Sequence, residues 1–395
     1  MLGIEFNTDQ VHAIYSIENW WNTQRSQVYE LAGGAGTGKT TLIRYLIERI
    51  GLDIYEDVLF LAFMGKAASQ MNRNGLPAQT IHSAIYKYKK VADRDEDGHI
   101  IFDSRGRVVT KGVFELRDSD YFEQKKYKLI VLDEAGMVSE QIAKDLLSFG
   151  LPITTLGDLN QLVPVFGSPY FMRHPDYVLR QIMRQSENDP IVWLANQVLD
   201  GKKIPFGVYG TSAVIPKSDL NEYLYNNADV VLTTTNKLRH EVNQMFRKHI
   251  KNIKQLEMPH VGEKIICRKN NWDRSIDDYI YLTNGTAGFI DNIDKETFNG
   301  KKIRIDFRPD FLNKKFKNLD IDYKMLYAAP GTKESGLQTL FNKFEFAYAI
   351  TVHLSQGSQY PNVLFLDEKI GNVEFMRRLE YTAITRAMKS ITIAI

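Results

Sequence analysis

Two groups of residues in this chain have the types and spacing needed to handle a nucleoside triphosphate. The first is Leu31-Ala32-Gly33-Gly34-Ala35-Gly36-Thr37-Gly38-Lys39-Thr40-Thr41, which fits the phosphate-loop pattern of Gly, four residues, Gly, Lys, then Ser or Thr. Glycines at this spacing let the backbone fold tightly, so that successive N–H groups of Gly34 to Thr41 point at one anion. A helix opening at Lys39 adds its positive end. Lys39 would then reach the β- and γ-phosphates, and the Thr40 hydroxyl a Mg²⁺ ion. The second group is Asp133-Glu134, two carboxylates that close the apolar run Leu129-Ile130-Val131-Leu132. Asp133 can hold Mg²⁺ through water, and Glu134 can orient or deprotonate a water attacking the γ-phosphate.

Single residues elsewhere suit the same chemistry but leave alternatives open. Gln161 follows the strand-like Ile153-Thr154-Thr155-Leu156 and can sense a γ-phosphate or its attacking water. Arg180 and Arg184 are either surface charges or, for one of them, a charge that enters the phosphate site. Gln10 is either a solvated helix residue or an amide that pairs with the donor and acceptor of an adenine edge.

The elements that must carry these groups read as alternating strand and helix. Val28-Tyr29-Glu30-Leu31 is strand-like before the loop, and Leu42-Ile43-Tyr45-Leu46-Ile47 has helical period after it. Val58-Leu59-Phe60-Leu61-Ala62-Phe63 is a buried strand running into a helix at Lys66. Fully apolar strands of this kind belong in a parallel sheet covered on both faces, with polar groups gathered at its C-terminal edge. A second α/β rhythm runs through Val230-Val231-Leu232-Thr233, Phe346 to His353, Val363 to Leu366 and Ser390 to Ile395. Two stretches interrupt the pattern. From about Ile85 to Tyr127, His99 to Phe102 and Arg107 to Thr110 flank a Gly-containing turn and read as a β-hairpin; from about Val261 to Lys343 the text is strand and turn.

The 395 residues suffice for two or more domains with full cores, and 44% hydrophobic with 25% charged residues is the balance of a protein that folds without staples. The one cysteine, Cys267, excludes an internal disulfide, and no Cys/His cluster has zinc spacing. With no apolar run of the ~18 residues a membrane helix needs and no signal-peptide pattern at the start, a soluble, intracellular, cytoplasmic chain is expected. Ending one strand past Arg386, it is expected to carry no nuclease or accessory domain. A net charge of +2 neither requires nor excludes nucleic acid.

The order of the motifs is more specific than any one of them. Gln10, the phosphate loop, Gly65-Lys66-Ala67-Ala68, Thr80-Ile81-His82-Ser83, Asp133-Glu134-Ala135, Gly157-Asp158 to Gln161, Arg184-Gln185, Ala349-Ile350-Thr351-Val352-His353-Leu354-Ser355-Gln356-Gly357-Ser358 and Tyr381-Thr382-Ala383-Ile384-Thr385-Arg386-Ala387 follow one another. This series resembles the superfamily 1 helicases, most closely the RecD-like and Dda-like branch that moves 5′ to 3′. The resemblance implies two RecA-like parallel-sheet domains in tandem, of phosphate-loop NTPase fold. The first would comprise 1–84 and 128–185, with a wedge-hairpin insertion at 85–127. The second would comprise 186–260 and 344–395, with a β-barrel-like insertion, similar in position to a Src-homology-3-like barrel, at 261–343.

It further implies ATP and Mg²⁺ in the cleft between the domains, adenine read by Gln10, and a γ-phosphate sensed by Gln161 and reached by Arg184 and Arg386. Gln356 and Gly357 would link the nucleotide to the DNA path. Single-stranded DNA would meet Phe63, Lys66, Thr80 and His82 on the first domain and Asn236, Thr351 and His353 on the second. Phe63 either stacks on a base or closes the core at its strand end. Phe102, near the hairpin tip, would meet the end base pair of a duplex junction. The expected activity is ATP-dependent 5′-to-3′ translocation and unwinding by a monomer. Its setting would be replication, recombination or repair, alongside single-stranded-DNA-binding or other replication and recombination proteins. The alternative is an ATP-switched clamp or translocase with little unwinding. Phe63-Met64 replaces the usual Pro-Thr before Gly65-Lys66, which sets that loop's contacts apart from the family pattern.

Overall fold

The computed structural model describes residues 5–95, 97–102, 106–162, 169–181, 189–276, 280–332 and 341–395. In the first domain the apolar runs become β1 (Val28–Gly33), β2 (Val58–Ala62) and the short β3 (Ala78–Thr80). The next pair, β4 (Tyr86–Ala92) and β5 (Thr110–Leu116), leaves the sheet as an antiparallel hairpin. The chain then returns through β6 (Leu129–Asp133), β7 (Ile153–Gly157) and β8 (Tyr177–Leu179). The sheet order is β3-β2-β6-β7-β1-β8, with every neighbour parallel. All of β2 is buried, and so is β6 up to Asp133, as in strands with helices on both faces.

The hairpin runs from the pair Tyr86 and Leu116 to Ala92 and Thr110. Bridges between Arg94 and Ile100 and between Phe102 and Val108 extend it. Its strands therefore begin well before the His99–Phe102 run. After it, the helix Ser119–Lys125 brings Phe122 into the first domain's core, its ring 4.2 Å from Phe149. The part of 85–127 that stands off the sheet is accordingly shorter than the sequence pattern suggests.

The second domain opens on the helix Pro190–Leu199. Asp189 caps it by accepting from the Ile191 N–H, and proline in its first turn gives up no needed donor. The strands β9 (Gly207–Tyr209), β10 (Ser212–Ile215) and β11 (Val230–Thr233) follow. An excursion then contributes β12 (Lys264–Cys267), β13 (Asn271–Ile276), β14 (Ile280–Leu282), β15 (Ala287–Asp294), β16 (Lys302–Pro309), β17 (Phe316–Asp322) and β18 (Phe344–Phe346). Finally β19 (Ala349–Thr351), β20 (Tyr360–Leu366) and β21 (Ala387–Ala394) complete a second sheet of order β19-β11-β20-β21-β10-β9. It is parallel except for β9.

The excursion is an antiparallel sheet, β17-β16-β15-β12-β18, around a core of its own that includes Ile265, Ile305, Phe307 and Phe344. Fully buried Arg247 roots it in the second domain, pairing with Glu263 at 2.6 Å and donating to the Leu256 and Met258 carbonyls. The hairpin β13–β14 reaches back to the first domain. There Trp272 meets Phe114 edge-on at 4.6 Å, and Tyr88 donates to Asp273 at 2.9 Å. Among the described residues no helix is long and apolar enough to cross a membrane.

Candidate functional site

The phosphate loop leaves β1 at Gly33, where an added Cβ would sit 2.7 Å from Thr37 Oγ1 and 3.0 Å from Leu179 Cβ. Only glycine fits so close an approach. Gly38, at φ 80°, turns the chain into the helix Lys39–Arg49. Lys39 Nζ donates to the carbonyls of Gly33 at 2.5 Å and Gly34 at 3.1 Å, which keeps its charge against the loop. Gly34, Ala35, Gly36, Gly38, Lys39, Thr40 and Thr41 line a cavity of about 800 Å³ between the two domains.

Thr37 and Gln10 stand behind this wall. Gln10 is fully buried in the helix Thr8–Thr23. Its Oε1 accepts from the Asn7 N–H at 3.1 Å, and its Nε2 donates to the Thr37 carbonyl at 3.0 Å. Each end of the amide makes one hydrogen bond to the chain itself, which ties the helix to the loop and leaves one donor hydrogen and one acceptor lone pair over.

β6 delivers Asp133 and Glu134 to the same cavity. Glu134 takes a left-handed conformation, φ 52° and ψ 41°, and its N–H donates to Asp133 Oδ1 at 2.9 Å. Such a backbone is uncommon outside glycine and is characteristic of residues whose side chain must be aimed. Burial raises both carboxyls above the ordinary carboxylate range. Asp133 raises Glu134 further, while Lys39 opposes the shift in both and Arg386 opposes it in Glu134.

Across the cleft, the helix Val373–Ile384 and the start of β21 bring Tyr381, Thr382 and Arg386. Arg386 lies almost buried on the cavity wall. Nε donates to the Thr382 carbonyl at 3.0 Å, Nη1 to the Ser358 carbonyl at 3.2 Å and Nη2 to Thr385 Oγ1 at 3.1 Å. Leu162 is gripped from both sides: its N–H donates to Thr382 Oγ1 at 2.9 Å, and Gln356 Nε2 donates to its carbonyl at 2.8 Å. Gln356 is thus a strut between domains, whereas its neighbour Gly357 lines the cavity at φ 66°. Gln161 also lines it, with Nε2 3.4 Å from Asp158 Oδ2. Arg184 lies outside the described residues. Arg180 is exposed, and its backbone N–H donates to Asp9 at 2.6 Å.

The residues expected along a nucleic-acid path gather at strand exits. Thr80, ending β3, caps the helix Ile81–Ile85 by accepting from the Ser83 N–H, and Thr351, ending β19, caps Val352–Ser355 by accepting from the Leu354 N–H. His82 and His353 each follow two residues on, both half-buried, and burial lowers both from the ordinary imidazole range. His82 stacks beside Trp272 at 5.9 Å and His353 beside Phe375 at 6.0 Å. Asn236 is exposed at the start of the helix Asn236–Met245. Phe63 packs, partly buried, against the first domain's core. Phe102 is 58% exposed on the hairpin, with Ile100, Ile101 and Val108 also exposed beside it.

Lys66 has a different setting. Its Nζ is 3.1 Å from Asp310 Oδ2 and 4.1 Å from the centre of the Tyr360 ring, on the wall of the same cavity. Lys264 lies beside it, donating to the Asp229 carbonyl at 2.6 Å. Burial, reinforced by Lys66, pulls its amine down to about 8. Sequence reasoning did not find Lys264, Asp310, Tyr360 or Trp272 as site residues. Their only signal was position inside or beside the long excursion. Tyr381 stood within a quoted motif, but its contact with Ala35 could not be seen from it.

Residues 19–167 match the family model of the AAA domain and residues 346–393 that of the UvrD-like helicase C-terminal domain. Over 90% of its length the chain is 25% identical to the ATP-dependent RecD2 DNA helicase of Deinococcus radiodurans, covering 45% of that protein. Over 55% of its length it is 26% identical to the ATP-dependent DNA helicase dda of Enterobacteria phage T4, covering 51% of it. The chain thus spans about half the length of these curated relatives. A solved structure concerned with DNA unwinding at forked duplex DNA by two coordinating Pif1 helicases superposes with a TM-score of 0.54 at 16% identity. The match covers 98% of this chain and 92% of that one. At that identity the likeness speaks for the fold, which is that of two RecA-like α/β domains. These matches support the resemblance to superfamily 1 helicases of the RecD-like and Dda-like branch that the order of the motifs suggests.

Proposed function

We propose that the protein is an ATP-dependent DNA helicase that translocates 5′ to 3′ on single-stranded DNA and opens duplex ahead of it. The observation that carries this reading is the division of the cleft. The phosphate loop and two carboxylates stand on one domain, and Arg386 stands on the other, all against one cavity. Charge stabilisation supplied across a cleft works when the cleft is closed, so hydrolysis is tied to relative motion of the domains.

In this reading the N–H groups of the loop and Lys39 bind the triphosphate, Glu134 orients the attacking water, Gln161 senses the γ-phosphate and Arg386 stabilises its charge. Arg184 is proposed for the same side of the site. The Thr40 hydroxyl and the Asp133 carboxylate are hard oxygen donors on the cavity wall and fit Mg²⁺, which when bound neutralises phosphate charge. The DNA strand is proposed to cross both sheets at Thr80, His82, Asn236, Thr351 and His353. Hydroxyl, amide and neutral imidazole groups there suit sequence-independent contacts. Phe63, packed against the core, and Lys66, paired with Asp310, are proposed for the first domain's side of that path. The exposed apolar end of the hairpin around Phe102 is proposed to meet the duplex end. The RecD2 and dda relatives, named as ATP-dependent DNA helicases, support the activity.

The test is unwinding of duplexes with either a 5′ or a 3′ single-stranded tail, with ATP and Mg²⁺. Opening of the 5′-tailed substrate alone is expected, and equal opening of both would overturn the direction. A chain lacking residues 99 to 110 that hydrolyses ATP but no longer unwinds would support the wedge. Unwinding at the full rate would favour a different strand splitter.

A further inference from the structure

The Tyr381 hydroxyl stands where no sequence motif assigned it a task. It accepts from the Ala35 N–H of the phosphate loop at 2.9 Å and donates to Asp158 Oδ2 at 2.8 Å. A Cβ built on Gly34 would lie 3.1 Å from the same oxygen. The ring is 1% exposed. Ala35 belongs to the loop's cradle of donors, and Asp158 is the carboxylate that Gln161 also approaches, at 3.4 Å. One hydroxyl from the second domain therefore links the phosphate loop to the segment after β7. Its own helix carries Thr382, which grips the Leu162 N–H, and ends at Ile384, two residues before Arg386.

We propose that Tyr381 is a positioning residue for hydrolysis, whose hydroxyl ties the filling of the γ-phosphate side of the loop to the placement of Arg386. A phosphate oxygen that takes the Ala35 N–H removes one of the two partners of this hydroxyl. The hydroxyl then rests on Asp158 alone, and the change reaches the helix that leads to Arg386. Burial, with the charge of Asp158, holds the phenol well above its ordinary range, so it stays a donor toward that carboxylate at neutral pH. The inference rests on the proposed ATPase reading and adds to it a residue that acts through Arg386 rather than on the nucleotide.

The experiment compares ATP hydrolysis, with and without single-stranded DNA, by the wild-type chain, Tyr381→Phe, Asp158→Asn and the double variant, each checked for an unchanged thermal midpoint. Tyr381→Phe keeps the ring and removes only the hydroxyl. The expected result is a kcat about tenfold lower with DNA present and a KM for ATP that does not rise, since the Ala35 N–H stays free for phosphate. The double variant should be no slower than the slower single variant, because both remove one linkage. Wild-type kcat in Tyr381→Phe overturns the proposal. So does a raised KM together with a lowered midpoint, which marks a purely structural side chain, and so do losses that multiply in the double variant. A wild-type chain that hydrolyses no ATP would instead overturn the underlying reading, which keeps the two failures distinct.

Discussion

At the edge of the first sheet, the three residues Ala78–Thr80 end in a threonine that caps a short helix carrying His82. At the edge of the second, Ala349–Thr351 end in a threonine that caps a short helix carrying His353. The two domains repeat this device in the same place and with the same chemistry. They share nothing of the sort at the cleft. There the first domain contributes backbone donors, Lys39 and two carboxylates, and the second contributes Tyr381, Gly357 and Arg386. A device that is duplicated suits a contact each domain makes in turn, such as a grip on a strand. Machinery that is divided suits a reaction that depends on both domains at once.

The division is tested most sharply at Arg386. Arg386→Ala should lower kcat by about 10³-fold, the scale of an arginine supplied across an interface, while the affinity for ATP stays within a few fold. Steady-state hydrolysis beside a fluorescent-nucleotide titration measures both, and a rate within tenfold of wild type would mean that the second domain supplies no such charge. Next in size is Glu134→Gln, expected to slow turnover about 10²-fold with nucleotide binding intact. An isosteric amide keeps the left-handed turn and its hydrogen bond to Asp133, so normal turnover would take the water-orienting role away from this residue.

The duplication is tested at the histidines. His82→Ala and His353→Ala should each weaken binding of single-stranded DNA by about 1 kcal/mol, the lower end of what stacking or phosphate contacts supply. Fluorescence anisotropy with a short labelled strand compares them directly. Equal losses sustain the pairing of the two edges. A loss at His353 alone would make His82 a packing residue of the Trp272 and Phe114 cluster.

How much of this the sequence discloses follows from the range of the contacts. The buried strands β2 and β6 are readable because a strand covered on both faces is apolar throughout, and the phosphate loop because its geometry is local. The hairpin reads only at its outer end, since β4 alternates tyrosine with lysine and both β4 and β5 are half-exposed or exposed, with no continuous apolar run. Nothing in the sequence gives Lys66 a partner within the chain until Asp310, 244 residues on, is brought beside it. Tyr381 meets Ala35 over a separation of 346 residues. Neither spacing nor periodicity encodes such pairs. They exist only once two sheets and an excursion have been stacked against each other.

The smallest expected effect concerns the joint around Lys66 and Asp310, where the two domains meet through charge rather than through a shared ligand. Burial brings the amine of Lys264 from the ordinary 10.5 down to about 8, so the folded protein holds its proton less firmly than the unfolded chain does. Below pH 8 both states are protonated and the full cost of burying the charge is borne. Between pH 8 and 10.5 the folded state sheds the proton first, and stability from this group rises with pH; above 10.5 the cost is gone. Lys264→Met, which is uncharged and shorter by only the terminal nitrogen, should therefore stabilise the protein at pH 7 by about 1 kcal/mol. This figure is smaller than the shift alone implies, because the Asp229 carbonyl loses its donor and Asp310 loses a neighbouring charge. Denaturant unfolding at pH 7 and at pH 10.5 measures it. The advantage should shrink toward zero at the higher pH, and a gain of the same size at both would show that packing around Tyr360, not the buried charge, sets the stability of this joint.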